Sequence, residues 1–361
     1  MPSSNEYPIL TVNPGSTSTK LALFRNRECR LSSSISHSAE ELAPFPTVSD
    51  QGEFRMALCE KFLEDAGIEG NMLAAVIGRG GLLAPLEGGV YRVNPAMLAD
   101  LKSARYGSHA SNLGAIIADG IASKRSIPAF IADPVVVDEL APLARYSGIP
   151  EIERRSIFHA LNQKSAAREV ARELGRPYTE CRFIVAHMGG GVSVGAHDRG
   201  RVVDVNNALD GDGPFSPERA GGLPAGQLIS LTMEYAGRED ALRKHLVGRG
   251  GLVAYLGTNS LEEIHSRIEA GDREARAVVE AMGYQIAKEI ASLSAVLEGK
   301  IDAVILTGGM AYNDFLVDYL SRRVSFLAQV RIIAGERELE ALAENALAAL
   351  RGEVRILEYA P

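Results

Sequence analysis

An apolar strand that breaks at glycine recurs three times in this chain, and it constrains the fold more than any other feature. Residues 9–24 read ILTVNPGSTSTKLALF, and residues 183–198 read FIVAHMGGGVSVGAHD. Both follow one plan: apolar strand, polar glycine-containing turn, second strand. A third break follows VILT, at Gly308 and Gly309. Glycine lets backbone approach a ligand closely, and the N–H groups of such a turn can cradle phosphate oxygens. The first turn, NPGSTSTK, is not a P-loop. Only Gly15 is present, no Ser or Thr follows Lys20, and LALFR continues as a strand rather than a helix. An ordinary tight turn accounts for any one of these breaks. Three of them, each after an apolar strand, point to several loops converging on one polyanion.

Between the breaks, strand-like runs alternate with helical stretches, which predicts an α/β chain. The strand candidates are AAVIGR, AFIAD, RFIVAHM, GRVVDV, DAVILTGG and VRIIAG. Helical spacing marks Ser156 to Leu174, with His159 inside it. It also marks the run from Val278 to Leu297 ending at Gly299, and Leu339 to Leu350 stopped by Gly352. The shared hairpin plan suggests an internal duplication. GRGGL also occurs twice, at 78–82 and 248–252, but this match repeats letters without a structural plan. The expected division is 1–155 and 156–361, with the last helix packing back on the N-terminal domain.

The 361 residues are 46% hydrophobic and 23% charged, enough for a large core, and the length favours two domains. A formal net charge of −8 with no long basic run argues against nucleic acid as the main partner. Small anionic ligands need only a few local cations. The three cysteines are scattered, without a CxxC or a His/Cys cluster, which fits a reducing cytoplasm and no structural zinc. The opening MPSSNEYP has no apolar core of a signal peptide, and no apolar run approaches a membrane span.

Charged residues beside the breaks are the next candidates. Arg79 follows a strand and precedes Gly80 and Gly81. Arg219 lies in the irregular loop GPFSPERAGGLP, and Asp133 ends a strand before Pro134. A strand-end carboxylate can hold Mg²⁺, which takes one or two carboxylates plus phosphate oxygens. His109 and His159 are further candidates, although a lone histidine is more often packed or solvated.

Taken together, ILTVNPGSTSTK, IGRGGL, RYGSHASNLGA, FIADPVVVDEL, SIFHALNQK, the long segment from Ala186 to Pro224 and VILTGGMAYNDFLV resemble the butyrate kinase family. That family belongs to the acetate kinase group of the sugar kinase, heat-shock protein and actin superfamily. The resemblance implies duplicated ribonuclease H-like (actin-like ATPase) domains with an interdomain nucleotide cleft. The hairpins would bind phosphates there in place of a P-loop. It implies ATP as co-substrate, Mg²⁺, a short-chain fatty acid or its acyl phosphate as partner, a cytoplasmic location and a homodimer or higher homo-oligomer. Position by position, Asn13, Ser16 and Ser18 match the phosphate-side hairpin. His187, Gly189, Gly190 and Gly191 match its counterpart, and Gly308, Gly309 and Met310 match the adenosine loop. Arg79, with Gly80, matches the arginine that meets the substrate carboxylate. Asp133 matches the magnesium-linked aspartate, to which Asn13 would add a ligand. His109 lies near the centre, Phe158 and His159 form an aromatic-histidine pair, and Arg219 is the second catalytic arginine. Gly190 replaces an Asn of acetate kinases. Glu336, Glu338 and Glu340 compete for one acidic position near the metal, with Glu338 as the choice.

A carboxylate is ionised at neutral pH and needs no general base, so the expected catalysis is positioning plus cations, by direct in-line transfer. Leu82, Leu83, Val135 and Val136 are candidate walls for the acid's tail, although strand-end apolar residues usually pack inwards. A kinase for branched acids such as 2-methylpropanoate is the near alternative. A non-catalytic ATP-binding sensor or filament protein of the same fold is the alternative of another class.

Overall fold

The computed structural model describes residues 6–68 and 72–361. Two compact units divide it by contacts. One comprises residues 1–137 and 337–361, and the other residues 138–336. The contact boundary falls at 137/138 rather than at the expected 155/156, so residues 138–155 group with the second unit; the terminal helix, which the sequence reading set against the N-terminal domain, groups with the first.

In the first unit, β1 (Pro8–Pro14), β2 (Ser18–Arg25) and β3 (Glu28–Ser36) form an antiparallel meander. Then come β4 (Ala75–Arg79), β5 (Val90–Arg92) and β6 (Ala129–Ala132). In the second unit, β7 (Arg182–Met188), β8 (Val192–Asp198) and β9 (Arg201–Val205) form another meander, joined by β10 (Ala303–Gly308) and β11 (Val330–Ala334). The last strand, β12 (Ile356–Glu358), returns to the first sheet. The sheet orders are β12-β5-β6-β4-β1-β2-β3 and β11-β10-β7-β8-β9. The run β6-β4-β1-β2-β3 therefore repeats as β11-β10-β7-β8-β9, which is the duplication foreshadowed by the two hairpins. The two GRGGL strings are not part of it. The first closes β4, whereas the second leads into a short helix, Gly251–Leu256.

Burial explains the strand types. Six of the seven residues of β1 are buried, as are all six of β10, because helices cover both faces of these central strands. The edge strand β3 has no buried residue and carries Arg and Ser instead, which is why its apolar pattern is faint. The helix Glu338–Leu350 packs on β1 and β4, and places Ala341, Leu342, Ala346 and Leu347 in the interior. Helix Arg273–Val296 is capped by the Asp272 carboxylate on the Ala275 N–H and buries Val279, Met282, Ile286, Ile290 and Leu293. One helix starts later than its spacing suggests. It spans Ala160–Glu173, and His159 at its N-cap has non-helical φ −79° and ψ 62°. Ser156 is buried, and the Ile157 carbonyl accepts from the Ala208 N–H at 3.0 Å, so the segment is tied to a neighbouring loop and stays non-helical up to His159.

Candidate functional site

Register decides which candidates meet in the first unit. In the parallel strands β1, β4 and β6, Val12 lies opposite Gly78 and Arg79 opposite Ala132. Asn13, Arg79 and Asp133 therefore leave neighbouring strands at one carboxyl edge, where ligands of open α/β sheets bind. Arg79 Nη1 lies 3.1 Å from Glu338 Oε1 and donates to Asn13 Oδ1 at 3.4 Å. The Asn13 amide donates to Glu338 Oε2. Of the three competing glutamates, Glu338 is the one against Asn13 and Arg79. Its place follows from the terminal helix, which begins there after Arg337 in a left-handed turn, φ 43°.

Asp133 is buried and also left-handed, with φ 39°, a conformation that costs about 1–3 kcal/mol and persists where surroundings impose it. Here Gly89 imposes it. The Gly89 N–H donates to Asp133 Oδ1 at 2.8 Å, and the Asp133 N–H to the Gly89 carbonyl at 3.0 Å. Gly80 has a packing reason as well: a Cβ there would stand 2.4 Å from Pro134 Cβ. His109 is exposed, with Nδ1 2.8 Å from Ser111 Oγ. Leu83 and Val136 are core residues, while Leu82 and Val135 are partly buried against that core.

Beneath the first hairpin lies a residue that strand and motif patterns did not single out. Arg55, from the helix Gly52–Asp65, is fully buried. Its Nη1 donates to the carbonyls of Gly15 (2.8 Å) and Ser18 (2.9 Å), and its Nη2 to that of Ser16 (3.2 Å). The guanidinium thus holds the tip containing Ser16 and Ser18 and places a cation under it. Burial pulls the Arg55 pKa down and, in the same helix, pushes the Cys59 thiol up to about 12. The available signal was one arginine among the buried Cys59, Phe62 and Leu63 of an otherwise ordinary amphipathic stripe.

In the second unit, β7, β10 and β11 are parallel, with Thr307 opposite His187 and Gly308 opposite Ala334. Their glycine breaks therefore gather at one edge. Gly190 is exposed at the tip of the β7–β8 hairpin, and the Gly189 N–H bonds the Gly191 carbonyl at 3.0 Å. A Cβ at Gly191 would lie 2.1 Å from Arg219 Nη1, so this glycine lets the guanidinium rest on the hairpin. Arg219 donates to the Ala208 carbonyl, and burial lowers its pKa. Gly308, at φ 88°, abuts the Met188 carbonyl, whereas a Cβ at Gly309 would meet open space. The Met310 side chain belongs to the core of this unit, which leaves only its backbone for a ligand. Phe158 is buried too. The rings of His159 and His187 stack with centroids 3.8 Å apart.

Comparison with known proteins gives these clusters a family. The chain is 50% identical over 354 residues to butyrate kinase 2 of Clostridium acetobutylicum, covering 98% of this chain and 99% of that protein. Its fold resembles the crystal structure of Porphyromonas gingivalis acetate kinase, with TM-score 0.77 and 17% identity over 94% of this chain and 99% of that one. It also resembles a propionate kinase from Francisella tularensis, with TM-score 0.73 and 19% identity over 94% and 98% of the two chains. These likenesses carry the actin-like ATPase fold. The acetokinase family model matches residues 147–334, more than half of the chain. The chain belongs to the acetokinase family.

Proposed function

We propose that this protein is a butyrate kinase, reversibly transferring the γ-phosphoryl group of ATP to the carboxylate of a short-chain fatty acid. The observation that carries the reading is the 50% identity to a butyrate kinase along nearly the whole of both chains. Arg79 would hold the acid, and its contact with Glu338 illustrates the chemistry: the guanidinium already grips a carboxylate. Asn13, beside it, would present its amide to the transferring end. Gly189, Gly190 and Gly191 would offer backbone to the phosphates, and Gly308 and Gly309 would border adenosine. Arg219 and His159 would meet the charge that spreads over the phosphoryl oxygens.

The oxygen donors in the first unit fit Mg²⁺. Among the described residues no group of three or more His, Cys, Asp or Glu gathers as a metal site, but Mg²⁺ needs only one or two carboxylates, with phosphate and water completing its shell. Asp133 is the ligand we propose, with Glu338 as the second acid. Asn13 fits less well, because its one oxygen is neutral and already accepts from Arg79, whereas the Glu338 carboxylate, although it also meets Arg79, brings a charge and a second oxygen. Bound Mg²⁺ would neutralise phosphate charge. Asp133→Asn should raise the Mg²⁺ concentration for half-maximal rate at least several-fold, and an unchanged value would remove Asp133 from the metal site.

Among the described residues no helix is long and apolar enough to cross a membrane. A cytoplasmic homo-oligomer, most simply a two-fold dimer, completes the proposal. Acyl phosphate trapped with hydroxylamine, across acids of increasing length and branching, tests the function. Butyrate should give the highest kcat/KM. A maximum at 2-methylpropanoate would establish the branched alternative, and no product with any acid would refute the kinase reading.

A further inference from the structure

Behind His159 lies a row of buried polar side chains that phosphoryl transfer does not itself require. Ser193, Gln163 and His197 are all fully buried. Tyr178 Oη lies 2.7 Å from His197 Nδ1, and His197 Nε2 lies 3.0 Å from Gln163 Oε1. Gln163 Nε2 donates to Ser193 Oγ at 2.8 Å, and Ser193 Oγ lies 2.9 Å from His159 Nδ1. The direction of each bond follows from what the groups can do. Gln163 Nε2 also donates to the Ser193 backbone carbonyl at 3.0 Å. Reversing the amide would set oxygen against that carbonyl, so its orientation is determined. Gln163 Oε1 then accepts from His197, whose burial holds it neutral, with a pKa well below the usual histidine range. With its proton on Nε2, His197 accepts from Tyr178 at Nδ1. The Ser193 hydroxyl has two lone pairs and one proton. It accepts from Gln163 and, at 3.5 Å, from the His159 backbone N–H. Its proton is therefore left for His159 Nδ1.

The stacked partner is set the opposite way. Asn162 Nδ2 donates to the carbonyls of Gly335 (3.2 Å) and Glu336 (2.6 Å), so Asn162 Oδ1 accepts from His187 Nδ1 at 2.7 Å. His187 thus carries its proton on Nδ1.

We infer that Gln163 and Ser193 are positioning residues that hold the neutral His159 ring in its Nε2–H tautomer, so that it donates a hydrogen bond to the transferring phosphoryl oxygens without having to be protonated first. The inference rests on the proposed phosphoryl role of His159. A ring with its proton on Nδ1 would present a lone pair to a developing anion, which repels it.

Long-range ¹H–¹⁵N correlation spectra of the full chain labelled with ¹⁵N-histidine, at about pH 8 where an ordinary imidazole is neutral, read the tautomer directly. His159→Gln assigns its signals. The native chain should show Nε2–H at His159 and Nδ1–H at His187. Gln163→Glu replaces the donor on Ser193 with an acceptor, so the serine proton turns to that acceptor and the Ser193 oxygen accepts from His159 Nδ1–H. The His159 pattern should invert while that of His187 stays. The kcat should fall at least ~10-fold, as for loss of a transition-state donor, with the KM for ATP nearly unchanged. An Nδ1–H signal for native His159, or an unchanged pattern in folded Gln163→Glu, would overturn the inference. If that variant does not fold, Ser193→Ala should yield a mixture of tautomers, and a single Nε2–H form would overturn it equally. An inverted tautomer with full turnover would leave the assignment standing and refute the phosphoryl role of His159.

Discussion

Arg79 and Arg249 sit in identical pentapeptides, and the structure gives them different surroundings. Arg79 ends a buried strand beside Asn13 and Glu338, whereas Arg249 precedes a short helix in the other unit. Arg79→Ala should lower kcat/KM for the acid by roughly 100-fold, the scale of a lost charge-assisted contact, and Arg249→Ala should change it less than about twofold. Equal losses in the hydroxamate assay would contradict the assignment. Histidine burial has a separate consequence for stability. His197 titrates well below 6.5 because burial disfavours its charged form, and His37 is lowered for the same reason, with Arg55 adding to it. As pH falls through 6.5 the unfolded chain takes up protons that the folded chain refuses, so stability held at higher pH is lost. The slope approaches about 1.4 kcal/mol per pH unit for His197, whose pKa lies well below 6.5. Urea unfolding at pH 7.5 and 5.5 should show the loss, and His197→Gln should reduce it. A profile that ignores His197→Gln would mean that the ring does not resist protonation. The setting of a residue was legible where type and place coincide, as for Asp133 at the end of a strand. It was not legible for Gln163 or Ser193, because a polar residue on a helix or strand says nothing about which way its hydrogen bonds run.

Among elements, the hairpin between β1 and β2 shows how a loop acquires rigidity from elsewhere. Its own backbone bond, from the Gly15 N–H to the Ser18 carbonyl at 2.8 Å, is supplemented by the buried Arg55. Arg55→Met keeps the apolar stem and removes the donors, taking from the carbonyls of Gly15 and Ser16 their bond to the guanidinium and leaving that of Ser18 only the Gly15 N–H. The expected cost is about 3 kcal/mol, since unsatisfied buried groups cost ~1–3 kcal/mol each and water will reach some of them. The KM for ATP should also rise. Thermal unfolding checks the first expectation and initial rates the second; an unchanged melting temperature would show that the hairpin holds itself. Central strands were legible because β1, β4, β7 and β10 bury both faces and read as continuous apolar runs. The edge strand β3 and the three-residue strands β5 and β12 were not, since solvent exposure and short length leave no period to detect. The helix before Gly175 was legible in its exit but not in its entry, where the buried Ser156 and Phe158 continue an apparent helical stripe in a non-helical segment.

For the molecule as a whole, the terminal segment belongs to the fold of the first unit. Its helix covers β1 and β4, β12 extends the sheet beside β5, and the Tyr359 hydroxyl donates to Asp100 at 2.8 Å, which together with burial pushes its pKa up to about 12. A chain ending at Glu336 would expose the buried Leu342 contacts and lose the strand, at an apolar cost of several kcal/mol, about 1.5–3 for each large side chain. Limited proteolysis should then degrade residues 6–137 while a fragment within 138–336 persists. Equal survival of both regions would show that the terminal helix is dispensable. By itself the sequence determined the α/β class, the duplicated hairpin plan and the family, because these rest on local periodicity, on glycine where backbone must approach closely, and on residues in fixed order. Only the tertiary structure decided that Glu338, rather than Glu336 or Glu340, meets Asn13 and Arg79, that Arg55 supports the hairpin, and that Gly80 and Met310 have packing duties. Those facts depend on strand register and on a helix returning more than two hundred residues later, and no local pattern encodes either.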